Sequence, residues 1–233
     1  MDKTERKPAL EIVLDLLKEK ACTKQEVYTN TLEVFEEIKK RLKDTQVELL
    51  KKMSGIDNNI EFFYEEKGTF EANLTFGGDI LVLTMHTNVF GFNDEHFVAK
   101  SKYVQEDFKR GYCGIISMYN FLKDSLKYKR INDVGYLIGR IFINKEKHFF
   151  MEGKRQLGFL YNDFENNILD ENYIKAIIES AMIYCLDFDL LTPPYNSVNE
   201  MSVSEKIQQA GALSFKTGKR LGFKFQADGD DVL

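Results

Sequence analysis

The chain is expected to fold as an α+β protein. About five to seven antiparallel strands form a central sheet, and a long N-terminal helical hairpin and C-terminal helices pack on it. Three observations carry this expectation. Tyr28, Phe35, Leu42 and Leu49 recur every seven residues, interleaved with Thr31, Ile38 and Thr45, a stripe that lets a helix lie along a partner surface. Between residues 60 and 161 the pattern turns to aromatic and β-branched runs separated by short turns, which demand antiparallel pairing. After Asp170 a helical period returns through Ile174, Ile177, Ile178, Ala181, Met182 and Cys185.

In order, Pro8 suits the first turn of a helix, where its missing N–H costs nothing. Leu10, Val13, Leu14 and Leu17 then share one face, widened by Ile12 and Leu16. Ala21 and Cys22 are expected to close this helix before a capping box, Thr23-Lys24-Gln25-Glu26, opens the second. The second helix should run to about Met53, roughly 45 Å at 1.5 Å per residue, and stop at Ser54-Gly55. Its stripe is imperfect, because Thr31, Thr45 and Lys52 take places that Leu or Ile would prefer. Packing on a sheet and an extended dimeric coiled coil both fit it.

Residues 60–64 and 69–76 read as a hairpin through Glu66-Lys67-Gly68, and Gly77-Gly78-Asp79 turns into Ile80–Met85, apolar enough to be covered on both faces. His96–Ala99 reads as a short strand, and Tyr112–Met118 as another, with 119–126 open between helix and strand. Val134–Asn144, His148–Met151 and Gln156–Tyr161 read as three further strands. Asp170 is the expected cap of the next helix, and Ser202-Val203-Ser204-Glu205 a second capping box ahead of a short helix over 207–213. The expected division is a helical arm over 1–55, an α+β domain over 56–225 and a disordered acidic tail over 226–233. This element order resembles that of sensory modules of the GAF and PAS kind and of profilin-like folds. The likeness is one of order alone and carries no residues over.

Composition narrows the function classes. A net charge of −5 gives no general attraction to nucleic acid. Locally, residues 123–155 hold nine Lys/Arg against four Asp/Glu, and 161–205 one Lys against nine Asp/Glu, two faces able to complement each other. Three cysteines, Cys22, Cys113 and Cys185, are too few and too scattered for a disulfide framework. The charged N-terminus lacks the apolar core of a signal peptide, and no run approaches a membrane span. A cytoplasmic location, with neither membrane nor nucleic acid as partner, is expected.

Candidate chemistry is sparse. His86, His96 and His148 stand outside any H-x-x-x-H or H-E-x-x-H spacing, and no metal is implied. Cys113 follows Lys109-Arg110-Gly111-Tyr112, whose cations would favour a thiolate. Two basic turns, Gly153-Lys154-Arg155 and Gly218-Lys219-Arg220, each precede a Leu-Gly-Phe within a few residues; Lys154, Arg155, Lys219 and Arg220 are the anion-binding candidates. Asp187 and Asp189 flank Phe188 at a helix end, a spacing that sometimes holds a cation. No cofactor motif is found. The expected function is a non-enzymatic ligand-sensing or protein-interaction module that self-associates, as a homodimer or with a partner helix, through residues 23–54. An enzyme assembled from sequence-distant residues, Cys113 or a histidine among them, is the alternative.

Overall fold

The computed structural model describes residues 7–190, 192, 194–197, 199–204 and 206. It opens with α1 (Ala9–Leu16), a wide helical turn (Leu17–Ala21) and α2 (Cys22–Met53), running on without a break. The strands β1 (Phe62–Glu66), β2 (Glu71–Phe76) and β3 (Asp79–Met85) follow, then α3 (Phe97–Lys100), α4 (Lys102–Glu106) and a 3-10 turn (Phe108–Gly111). Next come β4 (Gly114–Leu122), α5 (Lys123–Lys127), β5 (Tyr136–Ile143), β6 (Phe149–Gly153), α6 (Gln156–Phe159) and α7 (Glu171–Leu186). The six strands form one antiparallel meander in sequence order, as short connections require. The α+β class and the antiparallel sheet are as the sequence indicates.

One face of the sheet carries the main core. Leu74, Leu81, Leu83, Ile116, Met118 and Phe149 meet Val34, Phe35, Ile38 and Leu42 of α2 and Ile174, Ile177, Ile178 and Ala181 of α7, all buried. The seven-residue stripe of α2 therefore lies on the chain's own sheet, with Tyr28 and Leu49 packed at its margins. Its threonines have a reason that periodicity hides. Thr31 donates its hydroxyl to the Val27 carbonyl at 2.7 Å and Thr45 to Arg41 at 2.8 Å, so each polar group is satisfied within the helix. Thr31 also crosses β4 so closely that a Cβ on Gly114 would sit 2.1 Å from its Oγ1. A larger residue at either position would push helix and sheet apart.

Polar ties fix the helix at both ends of this contact. Asn30 donates to the Lys145 carbonyl at 2.5 Å, and Lys147 pairs with Glu33 at 3.1 Å. Further along, Lys39 is buried, with its amine 2.8 Å from both Glu36 and Glu66. Burial works against that charge, but the two carboxylates outweigh it and hold the lysine pKa above its ordinary value. The opposite face of the sheet carries a second cluster, where Val98, Val104, Cys113, Phe142, Phe150 and Phe164 gather under the connection between β3 and β4.

Three expectations are corrected. First, no turn separates two N-terminal helices: Ala21 and Cys22 keep helical backbone angles, and Thr23 donates to the Glu19 carbonyl at 2.7 Å instead of capping. A capping box needs a non-helical backbone at its first residue, and the preceding apolar helix leaves none. The N-terminal element is thus one continuous helix and not a hairpin. Second, His96–Ala99 is no strand; His96 Nδ1 accepts the Val98 amide at 3.3 Å and caps α3. Third, Gln156–Tyr161 opens with the helix α6. Elsewhere, Asp170 caps α7 by accepting the Tyr173 amide at 2.8 Å, and β4 runs through Leu122 before α5 begins. Lys219, Arg220, Glu205, the helix expected over 207–213 and the tail lie outside the described residues.

Candidate functional site

The densest group of titratable side chains closes the turn between β5 and β6. Asn144 is fully buried, and its Oδ1 accepts the amides of Glu146 and His148 at 2.9 and 3.0 Å. Its Nδ2 donates to the Tyr103 hydroxyl at 3.0 Å and to the Arg110 carbonyl at 3.3 Å. Tyr103 in turn donates to Glu146 at 2.6 Å and stacks on His148, ring centroids 4.6 Å apart. The Arg110 guanidinium lies 4.3 Å from the Tyr103 ring and pairs with Glu146 at 3.1 Å. Lys145 joins Asp107 at 2.5 Å and holds that carboxyl below its ordinary range.

Electrostatics tighten this cluster into a clasp. Burial, reinforced by the Glu146 carboxylate, pushes the Tyr103 phenol far above its usual range, so it stays a protonated donor. Burial opposes the Glu146 charge, yet the Tyr103 hydroxyl and Arg110 outweigh it and hold the carboxyl low. Each of these charges faces a partner of the opposite sign.

The other sequence candidates are held in comparable ways. His96 stacks on Phe92 at 4.4 Å, with Nδ1 turned to the Val98 amide and Nε2 4.0 Å from Glu152, which also pairs with Arg140. His86 accepts the Asn88 amide and meets Phe90 edge-on, and His148 Nδ1 lies 3.1 Å from the Phe164 carbonyl. Cys113 is completely buried, and burial raises its thiol pKa, the reverse of what a nucleophile requires. Arg155 pairs with Asp187 at 2.6 Å and sits over Tyr184, while the Lys154 backbone amide binds the Ile138 carbonyl. The glycines around them answer to packing: a Cβ on Gly158 would lie 2.3 Å from the Gly153 carbonyl oxygen. No group of three potential metal ligands occurs among the described residues.

A different feature stands out at the N-terminus. Every residue from 7 to 22 is exposed, although the segment is strongly apolar. Leu10 is 70% exposed, Leu17 51% and Val13, Leu14, Ile12 and Leu16 nearly half. Downstream in the same helix the stripe is buried to completion at Val34 and Phe35. The wide turn separates the two. There the Cys22 amide reaches back five residues to the Leu17 carbonyl, and one extra residue per turn rotates the preceding stripe by roughly 100°. The arm's apolar face thus turns away from the surface that α2 covers. Along it runs a groove of about 330 Å³, lined by Val13, Leu16, Leu17, Lys20, Ala21 and Lys24. Its polar side carries Glu11, Asp15, Lys18 and Glu19, with the exposed Cys22 beside them.

The apolar pattern of this arm was visible in the sequence, but its exposure was not, because a hairpin would have covered it. No protein-family model matches the chain, and no curated protein or solved structure is significantly similar to it. Among the described residues no helix is long and apolar enough to cross a membrane.

Proposed function

We propose that this chain is a non-enzymatic protein-interaction module whose docking surface is the exposed arm of residues 9–22. One observation carries the reading: six large apolar side chains between Leu10 and Leu17 stand in water at the end of a helix that otherwise buries its stripe. An exposed contiguous apolar face of this kind marks a binding surface. A second helix fits it best, because the side chains recur at the three- and four-residue spacing that interlocks two helices. The stripe over 23–54 is occupied by the sheet, which moves the partner surface N-terminal to Thr23. The saturated polar clasp and the buried Cys113 support a binding role over catalysis. The exposed Cys22 and the buried Cys113 are free thiols, which suits a reducing compartment such as the cytoplasm.

Site-specific photo-crosslinking of the full chain in its host cell tests this. A photoreactive residue at position 14 should give discrete protein adducts, and one at Asp15 on the polar side should give few. Equal yields from the two positions, or none from position 14, would sink the docking surface.

A further inference from the structure

We infer that the occupant of the arm is the arm of a second copy of this chain, docked antiparallel about a two-fold axis between Leu14 and Leu17. This rests on the docking surface just proposed and adds its partner and register. Leu10, Leu14 and Leu17 step by four and three residues ahead of the wide turn, the spacing that interlocks two helices. Antiparallel pairing sets Leu14 against Leu17 of the second copy, so the two central layers are filled by leucine. The residues beside the seam then decide orientation. Glu11 and Lys18 occupy the same flank, seven residues apart, and neither forms an ion pair among the described residues. In the antiparallel register each Glu11 lies beside Lys18 of the other copy, twice over by symmetry.

A parallel pair places Val13 beside Lys18 and gives no Glu–Lys match among the described residues. It also brings both sheets to the same end of the arms, where each α2 already packs one face on its own sheet. The antiparallel pair sends them to opposite ends. A bilayer is a poorer occupant, because Lys7, Lys18 and Lys20 against Glu11, Asp15 and Glu19 leave residues 7–22 without net charge, whereas a Lys-rich face would attract anionic headgroups. The overlap of residues 10–21 is only about 18 Å long, so the dimer belongs to the small, reversible class of interfaces.

Cys22 is the exposed thiol and Cys113 and Cys185 are buried, so the native chain accepts one nitroxide label. Pulsed electron paramagnetic resonance should give a Cys22-to-Cys22 distance of roughly 20–30 Å, from about 20 Å along the axis and 8–10 Å between axes. Reversing one charge, Glu11→Lys or Lys18→Glu, should weaken association roughly tenfold, and combining the two should restore it. A distance below roughly 15 Å, the parallel arrangement, overturns the register, as does indifference to the charge reversals. A monomer at all concentrations overturns the second copy as occupant, whether or not it floats with anionic vesicles. Discrete crosslinks to another protein at position 14 would still uphold the docking surface in that event.

Discussion

Phe35→Ala is expected to lower the free energy of unfolding by about 3–5 kcal/mol, enough to remove much of the stability of a typical domain. Phe35 is fully buried at the middle of α2, where the helix crosses the sheet, and the Lys39 amine sits 5.2 Å from its ring. Truncation removes the transfer free energy of the ring and leaves a cavity. The walls of that cavity are pinned by Asn30 and Lys147 on one side and by the buried Lys39 on the other. The helix is therefore poorly able to collapse inward, which places the cost toward the upper part of the range. Chemical denaturation of the full chain measures it. Leu10→Ala in the exposed arm is the control, and its unfolding midpoint should move by no more than about 0.5 kcal/mol. Similar losses for both would mean that the arm belongs to the fold.

Asn144→Ala should cost about 3 kcal/mol, although it removes only one small side chain. Its amide serves four groups, and truncation strands the part-buried amides of Glu146 and His148 at the head of the turn. Asn144→Asp is expected to give no rescue. It restores an acceptor for the two amides but faces a carboxylate oxygen toward the Arg110 carbonyl and toward a Tyr103 hydroxyl already donating to Glu146. Denaturation midpoints of the two variants check this. Near wild-type stability for Asn144→Asp would show that the amide nitrogen does nothing, against the geometry described.

What the sequence revealed and what it hid divide along a physical line. Elements set by local periodicity were legible: the β1–β2–β3 meander, the Asp170 cap and all six inward residues of α7. Elements decided by tertiary contacts were not. Thr23 has the composition of a cap, but strong helix formers on both sides, Leu16 to Ala21 and Lys24 to Glu26, favour continuing the helix, and a back-bond to Glu19 satisfies its hydroxyl. His96 and Val98 have strand-like neighbours, yet a cap on the Val98 amide curls them into α3. Thr31, which weakens the zipper pattern, finds its packing reason in Gly114 across the interface, some 80 residues away in the chain. Likewise, Tyr103, Arg110 and Asn144 carry no motif, and the strand topology alone brings them together. For the arm, the sequence displayed the apolar stripe but not the rotation at Leu17–Ala21 that turns it from the sheet.

Sedimentation equilibrium of the full chain beside the variant carrying Leu14→Asp and Leu17→Asp, with unfolding midpoints for both at a concentration where the wild type is monomeric, is the most direct test of the arm as the surface that docks a second copy. Docking of two copies through the arm predicts a wild-type chain that moves reversibly between monomer and dimer with concentration, and a variant that stays monomeric with the midpoint of the wild-type monomer. Equal masses at every concentration, or a variant less stable than the wild-type monomer, would contradict it.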